Sequence, residues 1–185
     1  NMLFELTYLN FIQENLRSPF MDQFMVFITK FGEYGLFWIL LSVGLLIKKS
    51  TRKWGLILCT ALVIDIVLLN GIVKPLVART RPCYINTAIE LLVKAPSGHS
   101  FPSGHAGACF TAAFALLIGK NKYWAPAMIL AVLVGFSRNY LYVHWPTDVL
   151  GGLVIGMIAG FMGNFMYINH LIPKFITNTL EKVIG

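Results

Sequence analysis

Three short polar clusters interrupt an otherwise apolar chain: KPLVARTRP at 74–82, PSGH at 102–105 and SRNYLYVHWPTD at 137–148. Among their cations are Lys74, Arg81 and Arg138. Gathered at one cleft, these would repel one another unless an anion sat among them, and a guanidinium fork matches the oxygens of a tetrahedral oxyanion. Ser103, Gly104 and His105 open an apolar helical run. The first turn of a helix carries free N–H groups and the positive end of the dipole, and glycine there admits close approach, so these residues are expected to form a phosphate seat. Pro102 suits the entrance to such a helix.

His144 and Asp148 are four residues apart across the start of another apolar run, with Pro146 between them as a first-turn residue. Both side chains then fall on one helical face, where the carboxylate can hold the imidazole. That arrangement fixes the ring tautomer, frees the other nitrogen to attack phosphorus and stabilises the positive charge that develops, which makes His144 a nucleophile. A second histidine must protonate the departing oxygen, and His105 is placed to be that acid. A metal site built from His99, His105, His144 and Asp148 is the rival reading. It would set a divalent cation among Lys74, Arg81 and Arg138, so no metal and no cofactor are expected. Any one boundary cation or histidine is more simply a solvated anchor or helix cap; the convergence of all three clusters argues for a site.

The same three clusters resemble the signature motifs of the type 2 phosphatidic acid phosphatase superfamily, which also includes vanadium haloperoxidases. The pattern is Lys, six residues, Arg-Pro; Pro-Ser-Gly-His; then Ser-Arg, five residues, His, three residues, Asp, and every position is met in order from Lys74 to Asp148. The resemblance implies that Lys74, Arg81, Ser103, Gly104 and Arg138 bind phosphate and that His144 forms a phosphohistidine. It further implies that Asp148 orients His144 and that His105 acts first as acid and then activates water. Pro-Ser-Gly-His occurs twice, at 96–99 and 102–105; only the second copy opens onto an apolar helix, so His99 is assigned to the loop.

The elements that must position these groups belong to a membrane. The chain has 185 residues, of which 57% are apolar and 12% charged, and its mean hydropathy is +0.70. A soluble globule of this size needs a larger polar coat. Apolar runs at 34–47, 54–73, 103–118, 124–136 and 147–168 predict an all-α, polytopic transmembrane helical bundle of about five or six spans. One integral membrane domain is expected over 1–185, with interfacial helices at 1–31, a transmembrane core at 34–168 and a cytoplasmic tail at 169–185. The segment 2–16 has a helical apolar period but is too short and polar to span, and 19–31, which carries Asp22, Gln23 and Lys30, is expected to lie at the surface as well or else to be the tilted start of the first span. The long connection 83–102 is expected to be a lid-like loop over one membrane face. No cleaved signal peptide is expected after the Asn-Met start.

Gly152, Gly156 and Gly160 line one face of the last run and predict a close helix–helix contact within the chain; a homodimer is the alternative, which leaves monomer or dimer undetermined. Asn70, one turn before Lys74, is expected to support it, whereas Asp65 lies deeper and should pair with a neighbouring helix. Cys59, Cys83 and Cys109 read as packing residues. The net charge of +7 has no long basic patch with interleaved aromatics, so no nucleic-acid partner is expected. Once Lys74, Arg81 and Arg138 are set aside as ligands, the remaining cations place 48–53 and 120–122 in the cytoplasm. The site then falls on the extracytoplasmic face of the cell (inner) membrane.

A site at the membrane boundary suits a lipid phosphate, whose head group is wet and whose tail stays in lipid. Undecaprenyl diphosphate is the expected substrate by the resemblance, ahead of phosphatidic acid, phosphatidylglycerophosphate and lipid A phosphates. A soluble-type haloperoxidase is disfavoured by the spans. A non-catalytic lipid transporter or scaffold is disfavoured by polar clusters at span ends in place of broken helices at the midplane.

Overall fold

The computed structural model describes residues 2–172, in which the regular structure is helical, with no strand. The elements are α1 (Met2–Asn15), α2 (Pro19–Thr29), a 3₁₀ turn (Lys30–Gly35), α3 (Leu36–Ile47) and α4 (Arg52–Ile66). A π-helical stretch (Val67–Val73) and α5 (Lys74–Val77) prolong α4, and α6 (Pro82–Ile85), α7 (Gly104–Ile118), α8 (Trp124–Tyr140) and α9 (Pro146–Ile168) follow. Residues 173–185, most of the expected tail, lie outside the described residues. The five apolar runs correspond to α3, α4 with its π stretch, α7, α8 and α9.

Among the described residues three helical runs are long and apolar enough to cross a membrane: Pro19–Ile47, Arg52–Ile85 and Pro146–Ile168. The first begins earlier than its apolar run. Ser18 caps α2 by accepting from the Met21 amide, and Pro19 fits the first turn, where no helical donor is needed. Met25, Ile28 and Thr29 are then buried, with α2 lying along α8. The chain bends into α3 at Tyr34 and Gly35, whose φ angles of 50° and 66° leave the helical region.

The centre of the bundle is α7, GHAGACFTAAFALLI, packed against α4, α8 and α9. At 15 residues it is only about 22 Å long, and small residues let its neighbours close over it. A Cβ added to Gly152, Gly156 or Gly160 of α9 would stand 2.7 Å from Ser103 O, Thr111 N or Ala115 N respectively. The glycine stripe is therefore filled by the backbone of α7, and its close contact is made within the chain.

At one end of the bundle α1 lies across the connections. Its buried face is Glu5, Leu9 and Ile12, spaced to share one side of a helix. Leu9 packs with Cys83, Tyr142 and Trp145, and Ile12 with Met25, Tyr140, Leu141 and Val143. Met2, Leu3, Phe4 and Phe11 face outward, so both sides of α1 are apolar. The α3–α4 and α7–α8 turns, with Lys48, Lys49, Lys120 and Lys122, lie at the other end of the bundle.

Candidate active site

The polar clusters meet where α4 ends, α7 begins and α8 turns into α9. Pro82 favours extended backbone at the residue before it, and Arg81 sits there with φ −75° and ψ 151°. Its Nε donates to Gly98 O at 3.1 Å, and its Nη2 donates to His99 O at 3.1 Å and Ser97 O at 3.4 Å. The first Pro-Ser-Gly-His copy thus contributes backbone carbonyls that aim Arg81, while the His99 side chain is exposed. The remaining guanidinium nitrogen donates to Val143 O and to His144 Nε2, both at 3.0 Å.

The turn after α8 folds back on itself, with Val143 N and His144 N both bonded to Arg138 O and Asn139 Nδ2 donating to His144 O. Pro146 then starts α9, and the Asp148 carboxylate receives the Trp145 amide at 2.8 Å. His144 Nδ1 lies 3.3 Å from Asp148 Oδ2. A carboxylate only accepts and a guanidinium only donates, so the imidazole carries its hydrogen on Nδ1 and presents the Nε2 lone pair toward Arg81. His144 is only 2% exposed. Burial pushes its pKa down to about 3; the bond to Asp148 opposes this, and Arg138 and Arg81 reinforce it. The ring is neutral at ordinary pH, as an attacking nitrogen requires.

Arg138 is buried at the end of α8. Its Nη1 donates to Thr29 Oγ1 of α2, and its Nε has no protein partner. Arg138 also lines a cavity, and an orphaned, buried guanidinium N–H is the kind of donor an oxyanion satisfies. Lys74 Nζ donates to Asn70 Oδ1 at 3.3 Å, as their one-turn spacing predicts. Lys74, Arg81, Gly104, His105, Arg138 and His144 line one cavity of about 790 Å³. His105 is backed by the 3₁₀ turn: a Cβ on Gly32 would lie 2.9 Å from the His105 Cβ.

Seven of the eight expected site residues therefore contribute directly to this cavity or, for Asp148, to the ring that does. Ser103 is set back. It is fully buried as the N-cap of α7, where its Oγ accepts from Ala106 N at 3.5 Å and its amide donates to Asp148 O at 3.0 Å. Asp65 lines the same cavity. Its carboxylate faces α7, where a Cβ on Gly107 would stand 3.0 Å from Oδ1. Among the described residues no group of three or more His, Cys, Asp or Glu side chains is arranged to hold a metal.

Sequence reasoning missed four contributors. Arg79 counts there as one more boundary charge, yet its Nη1 donates to Asp148 Oδ1 at 2.9 Å. Ser100 Oγ donates to Asp148 Oδ2. Thr147 and, from α1, Glu5 complete a ring with Arg79. The one sequence signal was Glu5 itself, an acid in a segment otherwise apolar on that face.

Residues 54–171 match the PAP2 superfamily. The chain is 42% identical over 140 residues to an undecaprenyl-diphosphatase of Sulfolobus acidocaldarius, an alignment spanning 75% of this chain and 66% of that protein's length. It is 31% identical over 156 residues to an undecaprenyl-diphosphatase of Bacillus subtilis, spanning 84% of this chain and 79% of the relative. The crystal structure of a transmembrane PAP2 type phosphatidylglycerolphosphate phosphatase from Bacillus subtilis superposes with a TM-score of 0.74. The match has 27% identity and covers 94% of this chain and 88% of that one.

Proposed function

The chain belongs to the PAP2 superfamily, and on that premise we propose that it is a membrane lipid phosphatase that converts undecaprenyl diphosphate to the monophosphate through a phosphohistidine at His144. The carrying observation is the buried, neutral His144, with Nδ1 on Asp148 and Nε2 turned to Arg81 in a cavity shared with Lys74, Arg138 and His105.

In this reading the terminal phosphoryl group takes the guanidinium and ammonium donors of Arg81, Arg138 and Lys74, with Gly104 at the start of α7 beneath it. A phosphoryl oxygen outcompetes an imidazole for Arg81, which frees the Nε2 lone pair. That pair attacks phosphorus, the bridging P–O bond breaks, and His105 gives its proton to the departing lipid phosphate. The charge appearing on the imidazole is stabilised by Asp148. Neutral His105 then takes a proton from water, the oxygen attacks phosphorus, the P–N bond breaks and inorganic phosphate leaves. No step calls on a metal.

The choice of a polyprenyl diphosphate is supported by the two similar diphosphatases; phosphatidic acid, phosphatidylglycerophosphate and lipid A phosphates are the competing substrates. Placement on the outer face of the cell membrane is supported by the cations at the opposite end of the bundle. Purified protein in detergent with chelator, offered a panel of these lipids, should release phosphate most rapidly from undecaprenyl diphosphate, and His144→Ala should release none. Undiminished release by His144→Ala would remove the proposed nucleophile, and loss of wild-type activity on chelation would remove the metal-free route.

A further inference from the structure

Asp148 is fully buried, and more than the imidazole holds it. Oδ2 receives Ser100 Oγ and the Trp145 amide beside His144 Nδ1, while Oδ1 receives Arg79. Arg79 is fixed in turn. Its guanidinium lies 4.9 Å from the Trp145 ring, and the indole is tied by its Nε1 to Thr80 O at 2.9 Å. Nη1 also reaches Thr147 Oγ1 at 2.6 Å. Nη2 pairs with Glu5 Oε2 at 2.5 Å, and Thr147 closes the ring by donating to Glu5 Oε1 at 2.6 Å. Glu5 is 6% exposed and comes from α1, more than seventy residues away in sequence from its partner.

This arrangement is a poor way to gain stability alone, because two carboxylates and a guanidinium lose most of their hydration and an apolar substitute often serves as well. It is a good way to fix an orientation. One guanidinium fork reaches Asp148 with one nitrogen and Glu5 with the other, so the position of each carboxylate depends on the other. Arg79 also occupies the Asp148 oxygen that the ring does not use, which leaves Oδ2 directed at Nδ1. Without Glu5, the guanidinium keeps its charge but loses the anchor that sets its angle.

We propose that Glu5 and Arg79 form a positioning relay that orients Asp148 and, through it, His144, so that the N-terminal helix α1 is part of the catalytic apparatus and not only an interfacial anchor. The proposal rests on the reading of His144 as nucleophile. Neither Glu5 nor Arg79 touches the cavity, so both are positioning residues. Their loss acts on the chemical step and leaves the phosphate donors Lys74, Arg81 and Arg138 in place.

The test compares wild type with Glu5→Gln, Arg79→Gln, Arg79→Lys, the Glu5→Gln/Arg79→Gln double variant and the milder Thr147→Val. It reads kcat and KM on the best lipid substrate, and competitive inhibition by inorganic phosphate, which reports the seat. Arg79→Gln should lower kcat by about 10- to 100-fold, the range for losing a residue that orients a reactive ligand. KM and the phosphate inhibition constant should move by less than about twofold, as for an interaction made only in the transition state. Glu5→Gln and Thr147→Val should lower kcat in the same manner but less, Arg79→Lys should recover part of the loss, and the double variant should be no slower than Arg79→Gln. A Glu5→Gln or Thr147→Val enzyme with unchanged kcat would overturn the relay. So would independent, multiplicative losses in the double variant, or losses that follow weakened phosphate inhibition. With His144→Ala inactive, those results would overturn the relay alone; activity in His144→Ala would instead overturn the nucleophile assignment.

Discussion

At the scale of the residue, the site depends on keeping one imidazole neutral and turned the right way. His144 gains nothing from water, and two guanidinium groups lie near it, so its proton affinity is low in the folded chain. This has a consequence for stability. The unfolded histidine takes up a proton near pH 6.5, whereas the folded one does so only near pH 3. Between those values the unfolded state binds more protons, so stability falls as pH falls through this window. Replacing His144 by Asn removes that contribution. Between pH 7 and 5 the variant should lose about 2 kcal/mol less stability than wild type, a difference that melting curves without substrate would show as a flatter dependence of Tm on pH. Parallel curves would mean that His144 is not held neutral by burial.

The residues of the three motifs were legible because their spacing is local: His144 and Asp148 share one turn, Ser103 to His105 share a helix start, and Lys74 follows Asn70 by one turn. The partners that orient them were not. Glu5 meets Arg79, Thr29 meets Arg138 and the carbonyls of 97–99 meet Arg81 only through the fold, and no periodicity in the sequence records those pairings. Ser103 shows the opposite case, since its place in a motif did not tell that its hydroxyl caps α7 while its amide ties α7 to α9.

At the scale of the element, the decisive contact is α9 against α7, because it carries Asp148 and the seat at the start of α7 in one rigid pair. The spacing of Gly152, Gly156 and Gly160 announced a close approach, although only the fold showed α7 to be the partner. Gly156→Ala would drive a methyl to within 2.7 Å of Thr111 N and should destabilise by about 1–3 kcal/mol, as overpacking does. Gly44→Ala, where nothing lies within 4 Å, should be neutral or stabilising by up to about 1 kcal/mol, since alanine is the better helix former. Thermal unfolding of the two variants side by side checks this, and equal effects would contradict the packing. The second apolar segment illustrates what local pattern leaves open. Asp22 and Lys30 make 19–31 look superficial, whereas Arg17 and Tyr140 both donate to the Asp22 carboxylate and the apolar face packs on α8, so the segment runs on toward α3.

At the scale of the whole molecule, the helices gather every motif at one end of the bundle and leave Lys48, Lys49, Lys120 and Lys122 at the other. The bias of cations predicts that the site end faces outward. A membrane-impermeant maleimide should label His99→Cys, exposed in the loop beside the site, in intact cells freed of the outer envelope. It should label Lys122→Cys only after lysis. The native Cys83 and Cys109 are buried, and wild type provides the background. The reverse pattern would invert the orientation while leaving the chemistry as it is.

The proposed chemistry turns on a covalent bond between His144 Nε2 and phosphorus, which trapping would detect. Undecaprenyl diphosphate labelled in its terminal phosphoryl group, mixed with enzyme and quenched in base within one turnover, should leave an acid-labile, base-stable label on the peptide that contains His144. His105→Gln, slowed both in the transfer to His144 and in the release to water, should gain the label more slowly and, once labelled, lose it more slowly, and His144→Ala should accumulate none. Rapid turnover with no protein-bound label at any time, or a label on another residue, would rule out His144 as the nucleophile.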